Sequence, residues 1–166
     1  MQHVPPAFRV GLGYDIHPLV AGRPCILGGI NIPSPVGPDG HSDADVVLHA
    51  VADAIFGSAG LRDIGHYFPN TDASLQGLDS AVIVKKAVAE AKGQGGWVVG
   101  NIDIVIIGER PKVMAHVDAM KAKVAEIIGI SPSQVGIKAT TNEGMDAIGQ
   151  GKALAAQAIC LIFRAS

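Results

Sequence analysis

Two histidines and an aspartate have the types and spacing to share a metal ion. Asp15 and His17 are two residues apart, just after a segment from Arg9 to Tyr14 that reads as a first strand. Residues i and i+2 of a strand point to one face about 6.6 Å apart, so Asp15 and His17 can converge on one cation. His49 becomes a third ligand if the helix that carries it packs beside that strand. Two imidazoles and a carboxylate leave one position open on a tetrahedral zinc, the arrangement of a catalytic site. Asp45 and Asp53 lie one helical turn on either side of His49, and either could accept its other N–H and set its tautomer. An exposed histidine near carboxylates fits the same spacing, since nothing in the spacing brings His49 to Asp15.

Three further clusters have the composition of ligand sites. Gly40-His41-Ser42-Asp43 precedes a helix start, where unpaired N–H groups attract anions. His41 and Ser42 could hold a phosphate there, or Ser42 could simply cap the helix. Lys138-Ala139-Thr140-Thr141-Asn142-Glu143 lies at a strand end. Its backbone N–H groups and hydroxyls suit phosphate oxygens, and Glu143 suits a hard cation such as magnesium; an ordinary polar loop has the same composition. Gly108-Glu109-Arg110-Pro111-Lys112 joins a strand to a helix, a place where α/β folds put ligands, although solvated cations also fit.

The elements that must position these groups follow from periodicity. Cys25 to Ile32 reads as extended chain bent at Gly28 and Gly29. Ser42, with Asp45 three residues on, has a capping-box pattern and predicts a helix to about Ala59. Val47, Leu48, Val51, Ile55 and Phe56 form its apolar face. His66 to Gly77 has no period and reads as a surface loop. Asp79 caps a second helix that Gly93 ends, and Ile104 to Ile107 marks a central strand. A third helix is predicted to begin at Pro111 and to end at Gly129, followed by a strand from Val135 to Ala139. Lys152 to Phe163 is Ala-rich, and propensity favours a helix.

Composition narrows the functional classes. The 166 residues fit one domain, with residues 1–8 as a flexible tail. Lys plus Arg is 13 against 15 Asp plus Glu, so neither nucleic acid nor an anionic membrane is the expected partner. Charged residues are 17% and hydrophobic ones 48%. A lone domain carries about 25% charge, so the deficit points to surface covered by further copies of the chain. Cys25 and Cys160 sit apart in apolar strings and read as buried thiols. Met1 to Phe8 has two prolines and no apolar signal core. The expected location is the cytoplasm of a bacterium, or a plastid after removal of a transit peptide.

Taken in order, RVGLGYDIH (Arg9 to His17), ILGGINIP (Ile26 to Pro33), GHSDADVVLHAVADAIFGSAGLRDIGHYFPNTD (Gly40 to Asp72), NIDIVIIGERPK (Asn101 to Lys112) and VGIKATTNE (Val135 to Glu143) resemble the 2-C-methyl-D-erythritol 2,4-cyclodiphosphate synthases of the non-mevalonate isoprenoid pathway. The resemblance implies an α+β fold: a four-stranded mixed sheet with helices on one face, in a ferredoxin-like two-layer arrangement. It also implies a homotrimer with sheets facing the threefold axis and active sites between subunits, and it makes Lys152 to Phe163 a strand.

Carried over by position, Asp15, His17 and His49 would bind zinc, and His41 and Thr141 would stabilise the transition state. Ser42 would stand beside His41 on the erythritol-phosphate side. Asp63, Ile64 and Gly65 would lie near the ribose, and Phe68, Pro69, Asn70, Thr71 and Asp72 would form a loop over the methylerythritol. Gly108, Pro111, Lys112, Val113 and Met114, with Ala139 and Thr140, would line the cytidine and phosphate pocket of the adjacent subunit. Glu143 would hold a second cation, magnesium or manganese. One stretch departs from the family: Gly149-Gln150-Gly151-Lys152-Ala153 stands where many members have Gly-Arg-Gly-Glu-Gly, and the lost arginine removes an expected phosphate contact.

The implied reaction is an intramolecular phosphoryl transfer on a cytidine-diphosphate-linked methylerythritol phosphate, with release of CMP. Two other readings share the same residues. A zinc phosphohydrolase would use the ligands to activate water, and a trimeric module would use zinc only structurally.

Overall fold

A computed structural model describes residues 7–164 of the chain. Of the expected tail, residues 1–6 lie outside the described residues, while Phe8 already begins the first strand, β1 (Phe8–Ala21). A hairpin of β2 (Cys25–Leu27) and β3 (Ile30–Ile32) follows, and its turn uses the positive φ angles of Gly28 and Gly29. Then come β4 (Val36–Pro38), α1 (Val46–Ser58), the short α2 (Ile64–Tyr67), α3 (Ser80–Gly95) and β5 (Trp97–Ile107). The chain finishes with α4 (Val117–Ile128), β6 (Val135–Thr140), one turn of α5 (Asp146–Gly149) and β7 (Ala153–Arg164).

The main sheet has five strands in the order β4-β1-β7-β5-β6. Only β5 and β6 pair in parallel; the other pairings are antiparallel. This corrects the expected count of four. The pairing of β1 with β7 ends at Pro18–Ala153, so the overhang Leu19–Ala21 takes β4 as a separate partner. The connectivity also differs from a ferredoxin-like βαββαβ unit. The two strands with only the single turn of α5 between them, β6 and β7, come last, and β7 inserts between β1 and β5.

β7 is the element that propensity misjudges. Leu154, Ala156, Ala158, Cys160 and Ile162 are buried at alternate positions, while Gln157, Ile159 and Phe163 face outward. That period of two, with partners along both edges, outweighs the helix preference of alanine. β1 alternates in the same way. Phe8, Val10, Leu12, Tyr14 and Ile16 are exposed on one face, and Gly11 and Gly13 face α1. A Cβ at Gly13 would stand 1.9 Å from the Ala50 carbonyl oxygen, and one at Gly11 would stand 2.1 Å from that of Ala54. Glycine at these two positions is therefore what lets α1 lie directly on β1.

Helix ends differ from expectation in three places. The cap of α1 is Asp45, not Ser42: its carboxylate accepts the N–H groups of Val47 and Leu48, and also those of Gly28 and Gly29. α3 runs past Gly93 to Gly95, because the left-handed cap conformation falls at Gly96. α4 starts at Val117 after a 3-10 turn at Met114–His116, because Pro111 to Val113 form a non-helical connection that lines a cavity. Within His66 to Gly77, part of the expected loop is ordered as the end of α2 and a 3-10 turn at Ala73–Leu75. Tyr67 stacks on buried Phe56 with centroids 4.5 Å apart, which holds this segment to α1.

Candidate metal and phosphate site

Asp15 and His17 project from the middle of β1 on the face covered by α1, and His49 lies one turn into that helix. Because α1 rests on glycine backbone, the three side chains meet: one ligand atom from each lies within 4.8 Å of the others. Asp15 Oδ2 is 2.8 Å from His49 Nδ1 and 3.1 Å from His17 Nε2. His17 Nδ1 is 2.8 Å from the Asp39 carbonyl, so Nδ1 carries the proton and donates it, leaving Nε2 to face Asp15. Burial works against the Asp15 carboxylate, but the hydrogen bonds and charges of His17 and His49 hold it well below the usual carboxylate range. The Asp15 contact in turn raises the pKa of His17, opposed by burial.

These residues open into a cavity of about 330 Å³, lined also by Gly40, His41, Ser42, Asp53, Ile64, Gly65, Phe68 and Asn70. Of the residues expected here, Asp63 caps α2 and accepts from the His66 N–H, while Pro69, Thr71 and Asp72 lie outside the lining. His41 Nε2 donates to the Asp72 carbonyl at 3.0 Å, and the His41 carbonyl accepts from Gly77 at 2.8 Å, so His41 anchors the loop above the cavity.

Two expectations about this end of α1 change. Neither Asp45 nor Asp53 receives the outer nitrogen of His49: Asp45 is spent on four backbone N–H groups, and Asp53 accepts the Ile64 N–H. That nitrogen instead lies 3.1 Å from Ser42 Oγ and 2.9 Å from Ser80 Oγ. The N–H groups of Val47 and Leu48 bind Asp45, so these two are not free for a phosphate beside His41 and Ser42. Ser80 was not expected; only its place next to the cap Asp79 marked it, and that signals a helix start rather than a site.

A second cavity, of about 160 Å³, is lined by Gly108, Pro111, Lys112, Val113, Met114, Ala139, Thr140 and Thr141, together with Ile106 and Leu154. In the sequence Ile106 reads as part of a central strand and Leu154 as part of an Ala-rich stretch, and neither gives a signal of a site. Glu143 sits beyond this cavity at a positive φ, with its carboxylate 3.4 Å from Thr141 Oγ1. Arg110 donates from Nε and Nη2 to the Gly151 carbonyl at 3.1 and 3.0 Å, placing a guanidinium next to the turn where the resemblance led to the expectation of an arginine in place of Gln150.

The two cavities share one end of the sheet but stand apart. Asp15 pairs with Ala156, Ala156 with Ile106, and Ile106 with Ala139, so Asp15 and Ala139 lie in one row across four strands. Three strand spacings separate them by about 14 Å, and no residue lines both cavities.

The YgbB family matches residues 8–163. A Synechococcus protein named 2-C-methyl-D-erythritol 2,4-cyclodiphosphate synthase is 52% identical over 154 residues, which cover 93% of this chain and 98% of that protein. The chain belongs to this family. A cyclodiphosphate synthase from Bordetella petrii is 50% identical, with 96% of this chain and 98% of the relative covered. Among solved structures, a Plasmodium falciparum IspF described as a CDP complex superimposes with a TM-score of 0.84 at 29% identity, covering 96% of this chain and 98% of that one. Membership makes the chain an enzyme of the cyclodiphosphate synthase class, in isoprenoid biosynthesis. No helix among the described residues is long and apolar enough to cross a membrane.

Proposed function

We propose that this chain converts 4-diphosphocytidyl-2-C-methyl-D-erythritol 2-phosphate to 2-C-methyl-D-erythritol 2,4-cyclodiphosphate and CMP. The observation that carries the reading is the convergence of Asp15, His17 and His49 at the wall of the larger cavity. An oxygen of the 2-phosphate forms a bond to the β-phosphorus. The bond from that phosphorus to the bridging oxygen breaks, and CMP takes the electron pair. The nucleophile is already an anion, so no general base is needed, and the barrier lies in repulsion and orientation.

The donor set of two imidazole nitrogens and one carboxylate oxygen fits zinc with a position open. A cation held there would neutralise phosphate charge and make the phosphorus more electrophilic. The chain's own part is to orient the substrate. His41, on the cavity wall, is suited to meet charge developing on the transferred group, as is Thr141 in the second cavity. Lys112 and the hydroxyls of Thr140 and Thr141 suit a diphosphate, and Pro111, Val113, Met114 and Ala139 offer apolar walls to a base. Glu143 would hold the second cation, magnesium or manganese. Folding one molecule so that its two ends meet is worth about 7–11 kcal/mol.

A homotrimer with sites between subunits accounts for two features. The metal cluster and the Thr141 cavity are too far apart in one chain to hold a single diphosphate. The sheet face opposite α1 also exposes Val10 and Leu12 at 59% each, Phe8 at 56% and Ile159 at 48%, a run of neighbouring apolar side chains of the kind that marks an interface. Bacterial relatives such as the Bordetella petrii protein support a cytoplasmic location.

The test is incubation of the purified protein with the cytidyl substrate, with and without a chelator, reading products by mass. Cyclic diphosphate and CMP, lost on chelation and in His49→Ala, are expected. A linear diphosphate would indicate a phosphohydrolase, and failure to release CMP would overturn the proposal.

A further inference from the structure

The outer nitrogen of His49 leads from the cavity wall, where Ser42 stands, into a partly buried chain of polar groups. Ser80, the first residue of α3, has no exposed surface, and its Oγ lies 2.9 Å from His49 Nε2. The same hydroxyl donates to Asp43 Oδ1, and the Ser80 N–H donates to Asp43 Oδ2 at 3.0 Å. Asp43 Oδ1 also accepts the Asp45 N–H at 3.1 Å, and the Asp43 N–H is bound by the Leu78 carbonyl at 3.1 Å. Asp43 is thereby fixed between the starts of α1 and α3.

The polarity of this chain has one solution. An ionised carboxylate only accepts, and a serine hydroxyl has a single proton. The Ser80 proton is committed to Asp43, so Ser80 Oγ can only accept from His49. Ser42 Oγ, at 3.1 Å from the same nitrogen, already accepts the Ala44 N–H and has a lone pair for it as well. Nε2 must therefore carry hydrogen, and Nδ1, which faces the Asp15 carboxylate at 2.8 Å, is the nitrogen whose proton a cation beside Asp15 and His17 would replace.

We propose that Asp43 and Ser80 are positioning residues: acting through His49, they fix its Nε2–H tautomer and hold Nδ1 as the metal-binding atom. This rests on the reading of Asp15, His17 and His49 as a cation site. The relay makes α3, which supplies no ligand, part of the metal centre, and it explains why a fully buried serine begins that helix.

The test compares the full-length wild type with Ser80→Ala and Asp43→Asn, using zinc as the probe. Zinc affinity is measured by chelator competition, and the ring protons of zinc-loaded, ¹⁵N-histidine-labelled protein are followed by NMR. The wild type should show a slowly exchanging His49 Nε2–H. Both variants should bind zinc at least about tenfold more weakly, with that proton shifted or lost to exchange, while the other histidine signals keep their positions. Affinities within twofold of wild type would overturn the relay and leave the metal site standing. Weakened binding with the Nε2–H signal unchanged would also overturn it, because the loss would then come from packing and not from proton placement. A wild type that binds no zinc would remove the metal site and the relay together.

Discussion

Gly13→Ala tests the link between backbone packing and the metal cluster. The added Cβ would lie 1.9 Å from the Ala50 carbonyl oxygen, and a Cβ essentially never approaches another atom within 3.0 Å. α1 must retreat from β1 by at least about 1.1 Å to accept it. That is half of a zinc–ligand bond of about 2.0–2.2 Å. β1 carries Asp15 and His17 and α1 carries His49, so the displacement falls on the 2.8 Å approach of Asp15 Oδ2 to His49 Nδ1. α1 is also wedged: Ala50, Val51, Ala54 and Ile55 have no exposed surface. Overpacking here should cost about 1–3 kcal/mol or more of stability, and zinc affinity should fall about a hundredfold. The control is Gly57→Ala on the same helix, where the nearest atom to a new Cβ is 3.9 Å away. It should be neutral or stabilise by about 0.5–1 kcal/mol. Thermal melts of metal-free protein and chelator competition read both effects. Wild-type stability and zinc affinity in Gly13→Ala would refute the argument that glycine contact sets the ligand geometry.

The Asp15–His17 contact predicts the sign of a pH effect. Because the contact raises the pKa of His17 above its ordinary 6.5, its contribution to the stability of metal-free protein is fully present below about pH 6.5 and is lost as pH rises through the raised value. A cation must displace that proton, so zinc affinity should fall by up to about tenfold per pH unit on the acid side; affinity independent of pH between about 5.5 and 8 would count against it. Glu143→Gln should raise the magnesium or manganese concentration needed for half-maximal activity and leave zinc content unchanged, and an unaltered divalent requirement would exclude Glu143 as a cation ligand. Mixing inactive His49→Ala and Lys112→Ala subunits should restore part of the activity if sites are shared, whereas verified mixed oligomers with no recovery would place each site within one chain.

The chemistry-bearing residues were legible from types and order. Asp15, His17 and His49 were marked by spacing on a strand and a helix, Gly108, Pro111 and Lys112 in the second cavity by their place between β5 and a helix, and Val113 and Met114 only by the family resemblance. The alternation of β7 was also present in the sequence, but alanine propensity hid it until pairing with β1 and β5 decided the element. Other features needed three dimensions. Asp45 reads as a polar residue on a helix edge, yet it is buried by four N–H groups, two of them from a hairpin 16 and 17 residues earlier. Ser80 reads only as a helix start, and it becomes the neighbour of His49 across 31 residues because α1 and α3 pack together. Local sequence sets which groups can donate, accept or bind a cation. Which of them meet depends on contacts between distant segments, and here those contacts exist because two glycines let a helix lie against a strand.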